Sequence, residues 1–173
     1  MRSAAPDPAD TDAWHAYLAE GNAKQARKRV AADVLLRDPS GRVLVVNPTY
    51  KPGWDLPGGM AEANEPPKDA VHRELMEELG IGVPLLGLLV VDWVAPHGPW
   101  DDQLAFVFDG GTLEDEQTGR LRPHDDELSE IAFVTPAEAS GRLRYHVRRR
   151  FEYALEALVG GRPLYLHDGV PAL

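Results

Sequence analysis

The chain is 173 residues long, 43% hydrophobic and 27% charged, with 28 acidic against 18 basic residues and a formal net charge of −10. That length suits one domain with a substantial core, and the acidic excess opposes the sequence-independent attraction to nucleic acid that rests on basic surface. The absence of cysteine excludes disulfides, thiolate nucleophiles and zinc–thiolate centres.

Residues 1–9 are rich in Ala, Pro and Asp and read as extended or disordered, with no apolar stretch of the kind a secretory signal needs. Residues 11–29 have a helical pattern with Trp14, Tyr17 and Leu18 on one side, interrupted at Gly21-Asn22, and are expected as one or two short helices packed on the main domain. Residues 30–36 read as a buried strand, 38–41 as a turn and 42–46 as its antiparallel partner. A loop with two prolines, 47–53, leads into the segment WDLPGG at 54–59, whose glycines let backbone approach a ligand closely. A helix follows, with Asn64 as its cap, Pro66 and Pro67 in its first turn and Gly80 ending it.

Farther on, residues 85–94 form an apolar strand long enough to bend, and 95–101 a loop holding Pro96, His97, Pro99 and Trp100. Residues 103–108 form another strand, and 109–126 are polar and acidic, read as a mobile surface loop. A short strand at 130–134 precedes Thr135-Pro136-Ala137-Glu138, which has capping-box spacing with Pro at the first helical position. The last helix spans 145–159, with Val147, Phe151, Leu155 and Leu158 inward and Gly160-Gly161 stopping it. Residues 163–167 supply an edge strand or a tail. No run approaches the length of a bilayer span. Strands flanking a central helix, with another helix near the end, indicate an α/β sandwich with a mixed central sheet. The division expected is a helical extension over 1–29, the main domain over 30–160 and a tail over 161–173, in a cytoplasmic protein.

The central helix carries the chemistry. Glu74, Glu77 and Glu78 stand at i, i+3 and i+4, so their carboxylates leave one face, while Val71, Leu75 and Leu79 fall on the neighbouring arc and can anchor it in a core. Like charges at this spacing repel unless a cation neutralises them, and a hard divalent ion with oxygen ligands does so. Gly59, Glu65, Arg73, Glu74, Leu75, Glu77, Glu78, Gly80 and Ile81 fill every fixed position of G-x5-E-x7-R-E-U-x-E-E-x-G-U, U being aliphatic, and the segment resembles the Nudix box. Chance would give such a match on the order of once in ten million chains of this size.

The resemblance covers roughly residues 30–158 and implies an α/β/α sandwich that hydrolyses a nucleoside diphosphate linked to another group, by attack of water on phosphorus. It implies Mg²⁺, or Mn²⁺, held chiefly by Glu77 and Glu78, with Glu74 as ligand or as base and the Gly59 carbonyl completing part of the shell. Arg73 and Glu65 would orient the carboxylates through paired hydrogen bonds. Members often add an acid from beyond the box, and of the six acids between 114 and 127 Glu127 is chosen, because it lies just before a strand.

Lys51 and Arg37, with Arg29, are candidates for substrate phosphate, against the ordinary reading of solvated loop cations. Trp100 is the candidate for stacking on a base, whereas Trp54 packs beneath the glycine loop. His97 is read as a bystander, and Arg142, Arg144, Arg148, Arg149 and Arg150 as a solvated face, with an oligomer or phosphate contact as the minority reading. The competing reading is a silent nucleotide-binding regulatory module, which has no need to hold like charges together. Isopentenyl diphosphate isomerase, with a related box, uses a cysteine that this chain lacks. Pro96, 15 residues beyond Ile81, resembles a marker of ADP-ribose pyrophosphatases, and nucleoside triphosphates, including oxidised ones, are equally open. Oligomeric state is not legible.

Overall fold

The computed structural model describes residues 5–173, and the reading of residues 1–4 as extended lies outside the described residues. Helix α1 (Thr11–Ala23) is capped by Asp10, whose side chain accepts from the Ala13 N–H at 3.1 Å. None of its residues is buried, so the expected packing of Trp14, Tyr17 and Leu18 into the domain does not occur. Trp14 and Tyr17 stack on each other instead, ring centroids 5.7 Å apart. Thereafter come β1 (Arg29–Arg37), β2 (Val43–Pro48), β3 (Gly58–Met60), α2 (Pro67–Leu79), β4 (Gly87–Val94), β5 (Gln103–Thr112) and α3 (Asp115–Arg120). The chain ends with β6 (Leu128–Val134), α4 (Pro136–Arg142), α5 (Tyr145–Gly160), β7 (Leu164–His167) and β8 (Val170–Pro171).

The strands form one mixed sheet in the order β6-β2-β1-β5-β4-β7-β8, with β3 paired on β1. The β1–β5 and β4–β7 pairs are parallel and the others antiparallel. Helices cover both faces, so the inner strands are apolar on both sides. Leu35, Val43 and Val45 pack with Val147, Phe151 and Ala154 of α5, whereas Val34, Leu36, Leu44 and Val46 pack with Val71, Leu75 and Leu79 of α2. This is the α/β/α sandwich expected. It places Asp33, on the same side of β1 as Leu35, on the face that α5 covers.

Three local readings change. Asn64 does not cap α2; it takes a left-handed conformation (φ 63°) that bends the chain, and Pro66 is the extended N-cap residue, with Pro67 opening the helix. Gly80 ends it as expected, at φ 66°. The stretch 109–126 is not a bare loop, because β5 runs on to Thr112 and α3 follows, closed by a capping box between Glu114 and Gln117 and pinned by buried Leu113 and Leu121. Residues 161–173 are no tail: β7 lies between β4 and β8, Leu166 is fully buried, and the Gly169 N–H donates to Asp92 Oδ1 at 3.0 Å.

Candidate active site

Burying Ala70, Val71, Leu75 and Leu79 against the sheet fixes the rotation of α2, and the polar arc beside that stripe then faces β3. Arg73 is the hub. Its Nε and Nη2 make paired bonds of 2.9 and 3.0 Å to the two oxygens of Glu65, and Nη1 donates to Glu74 Oε1 at 3.0 Å and Glu77 Oε2 at 2.9 Å. Nη2 also reaches the Met60 carbonyl at 3.0 Å, tying the helix to β3. A planar guanidinium can hold several carboxylates at once in this way, which an ammonium cannot. The Glu65 carboxyl is thereby held below its usual range, chiefly by its bonds to Arg73.

The loop approaches closely because it lacks side chains. A Cβ on Gly59 would lie 2.4 Å from Glu74 Oε1, and one on Gly58, at φ 132°, would lie 2.3 Å from the Ala32 carbonyl oxygen. Glu78 is buried and accepts from the Gly58 N–H at 3.1 Å. Burial pushes its carboxyl from 4.5 up to about 8, with Glu74, Asp33 and Asp55 adding to the rise against that backbone bond. Glu74 is likewise raised, first by burial, with Arg73 opposing and Glu77 and Glu127 adding. Among the described residues no three His, Asp or Glu side chains converge into a ready-made metal cage, because Arg73 is the present partner of Glu74 and Glu77 and Gly58 that of Glu78. The donor set nevertheless fits a hard cation: every nearby donor is a carboxylate or carbonyl oxygen, and the repulsion at Glu78 is what a divalent charge relieves.

On the other side of Gly58 and Gly59 opens a cavity of about 600 Å³. The middle of β1 and the loop after β2 give it Asp33, Lys51 and Asp55, and α5 with its N-cap gives Arg144, Val147 and Arg150. Lys51 Nζ lies 2.7 Å from Asp55 Oδ2, and Arg144 pairs with the same oxygen. Arg29 lies 4.6 Å over the Trp100 ring, and both line the cavity.

The spacing of the box, the Arg73 hub and the fold agree with what comparison finds: a family profile described as NUDIX domain matches residues 27–155. The chain belongs to the Nudix family. It is 32% identical over 141 residues to a MutT-like protein of Streptomyces ambofaciens, covering 80% of this chain and 82% of that one. It is 35% identical over 102 residues to the phosphatase NudJ of Escherichia coli K12, covering 57% of this chain and 63% of NudJ. The crystal structure of a MutT protein from Methanosarcina mazei Go1 has the same fold, with a TM-score of 0.64 at 24% identity over 76% of this chain and 97% of that one. The protein is thus an enzyme, a pyrophosphohydrolase of Nudix type acting on acid anhydrides.

Within this Nudix fold, Glu65, Arg73, Glu74 and Glu77 form one hydrogen-bonded group, with Gly59 and Glu78 adjoining it. Glu127 is exposed and close enough for its charge to bear on Glu74, and its carbonyl accepts from the Thr49 N–H at 2.8 Å. Lys51, Trp100 and Arg29 line the cavity, and so does His97. Arg37 does not: its Nη2 is engaged by Asp109 Oδ1 at 2.8 Å where β1 meets the end of β5, and it has no part in the cavity wall. Trp54 packs on the core under Arg142, as expected.

The arginine cluster is not wholly a solvated face, since Arg150 is buried and Arg144 is committed to Asp55. Sequence reasoning placed those two chiefly on a solvated face and missed Asp33 and Asp55 altogether. Signals existed for two of them. Val147, Arg150, Phe151 and Ala154 fall at i, i+3, i+4 and i+7, which puts Arg150 on the apolar stripe, and Asp33 interrupts an otherwise apolar strand.

Proposed function

We propose that this enzyme hydrolyses a phosphoanhydride bond of a nucleoside diphosphate linked to a further group, with Mg²⁺ or Mn²⁺ at the box. The observation that carries the reading is the Arg73 hub, which holds Glu65, Glu74 and Glu77 beside buried Glu78, with Gly58 and Gly59 between them and a cavity of about 600 Å³, within the size range of small-molecule sites. Glu77 and Glu78 would be the principal ligands, with Glu74, the Gly59 carbonyl and Glu127 completing the set. When bound, the ion would neutralise phosphate charge and make water more acidic.

The chain's own residues do the rest. Arg73 keeps Glu74 and Glu77 oriented as acceptors, and Glu65 keeps Arg73 in place. Raised by burial, Glu74 is suited to take a proton from the attacking water. Lys51 meets substrate phosphate and Trp100 stacks on the base. Relatives by fold include an ADP-ribose pyrophosphatase of Streptococcus suis 89-1591 (TM-score 0.59, 18% identity, 82% of this chain and 100% of that one), and nucleotide sugars and nucleoside triphosphates are both compatible with this site.

Testing means incubating the protein with nucleoside triphosphates, ADP-ribose and nucleotide sugars, with Mg²⁺, with Mn²⁺ or with chelator, and resolving the products. Release of a nucleoside monophosphate that stops on chelation is expected. Binding without product at any divalent ion concentration would instead make the chain a silent nucleotide-binding module.

A further inference from the structure

Two cavity-lining side chains have hydrogen-bonding capacity that nothing in the protein uses. Arg150 is more than nine-tenths buried, its Nε has no partner, and its guanidinium has a single long contact, Nη1 to Asp92 Oδ2 at 3.4 Å. Asp33 is buried in β1, and among the described residues its carboxylate accepts no hydrogen bond and forms no ion pair. Burial pushes the Asp33 carboxyl up from 3.8 to about 7, with Asp55 adding to the rise and the nearby Arg150 charge opposing it. Leaving a buried donor unmatched costs about 1–3 kcal/mol, so the Arg150 Nε calls for an acceptor, and Asp33, in the same cavity wall without a hydrogen-bond partner among the described residues, can pair with the same ligand. Lys51 and Arg144, by contrast, already share Asp55 as a partner within the protein.

We infer that Arg150 and Asp33 choose the nucleobase, Arg150 donating to a ring carbonyl and Asp33 accepting from the ring N–H beside it. The inference rests on the nucleotide reading above. Arg29, Lys51, Arg144 and Arg150 share the cavity walls with Asp33 and Asp55, and beside Arg150 a phosphate would have to sit against the Asp33 carboxyl, whereas a neutral base can use both groups. A flat ring fits better: Trp100 and Tyr50 offer aromatic faces at the cavity's exposed side, and Val94 and Val147 offer apolar contact within it. A carbonyl oxygen has two lone pairs and takes two N–H groups of a guanidinium fork, whereas a ring nitrogen has one. Lactam-type bases, guanine and uracil, therefore match the pair better than the amidine-type bases adenine and cytosine.

Calorimetric titration of the wild-type protein with GMP, UMP, AMP and CMP, without divalent ion, tests this independently of turnover. GMP and UMP are expected to bind roughly tenfold or more tightly than AMP and CMP, the discrimination that one well-placed contact gives. In D33N and R150K the difference should shrink to within about threefold. Near-ultraviolet circular dichroism checks that each variant folds, and D33N, nearly isosteric, carries the test if R150K does not. Equal affinity for the four bases, no binding of any, a preference for AMP or CMP, or a preference that survives in folded D33N would overturn the inference. Selective binding in a protein that hydrolyses nothing would leave it standing and remove the proposed reaction, whereas hydrolysis without base preference would do the reverse.

Discussion

Glu65, just before α2, and Glu74 and Glu77 on it lie within thirteen residues of chain and are organised by one arginine at 2.9–3.0 Å, whereas the cavity beyond Gly58 and Gly59 collects its charges from β1, the loop after β2 and α5. In the first region charge of one sign is concentrated and held by local spacing. In the second, opposite charges are mixed and held only by the tertiary fold. On the proposed function the difference corresponds to a division of labour: the helix would supply the reaction, which tolerates no change of spacing, and the dispersed cavity would supply choice of substrate, which can vary residue by residue.

The largest effect expected breaks the first region. Glu77→Gln and Glu78→Gln preserve size and remove the charge a metal needs, so turnover should fall by a hundredfold or more, on the order of 3 kcal/mol in the barrier. Far-ultraviolet circular dichroism should be unchanged, and E78Q should be no less stable near neutral pH, because a neutral amide replaces a buried carboxyl that is itself largely protonated there. Near wild-type rates at saturating Mg²⁺ in either variant would show that the metal ligands lie elsewhere.

Next in size is a contrast between adjacent glycines. In Gly59→Ala the new Cβ meets the end of the Glu74 side chain at 2.4 Å, which can move aside, so the loss falls on catalysis. About a hundredfold in kcat is expected, the usual cost of misplacing a group by an ångström, with little change in melting temperature. In Gly58→Ala the Cβ meets backbone, the Ala32 oxygen at 2.3 Å, at φ 132°, so stability suffers by about 1–3 kcal/mol. Equal effects of the two on stability would mean that Glu74 does not rest on Gly59.

This asymmetry also explains what was legible in the sequence. The box, its helix and the ends set by Gly80 and Gly161 were readable because each depends on near neighbours. The buried strands at 30–36 and 42–46 were readable because continuous apolar runs mark a sheet covered on both faces. Arg37 and Arg150 were misread for one reason: partners such as Asp109 and Asp92 lie 72 and 58 residues away in the chain, and no local pattern announces them. Residues 164–171 gave little sign of their place because β7 is set by parallel pairing to β4, across all of β5 and α5.

A subtler test of the charged helix uses pH. The Glu78 carboxyl, raised from 4.5 to about 8, favours folding while protonated. Its contribution is complete below the unfolded value and is lost as pH rises through the folded one. Without metal, stability should therefore decline between about pH 5 and pH 8, by at most about 1.4 kcal/mol per pH unit from this group. E78Q should flatten that decline, and Mg²⁺ should stabilise the wild type more at pH 8 than at pH 6. A wild-type slope unchanged in E78Q would assign the titration to another group.

The smallest effect should come from the rim of the cavity. Trp100 is 54% exposed and its ring lies 4.6 Å beneath the Arg29 guanidinium, so Trp100→Ala removes a stacking surface without opening the core. Stacking of a base on an aromatic side chain is worth about 1–3 kcal/mol, and at so open a position the lower end applies, which raises KM about fivefold. Since the ring's contact is with Arg29 and not with Arg73 or the acids it holds, kcat should not move. A fall in kcat with KM unchanged would place Trp100 in the reacting region and erase the boundary between the two halves of the site.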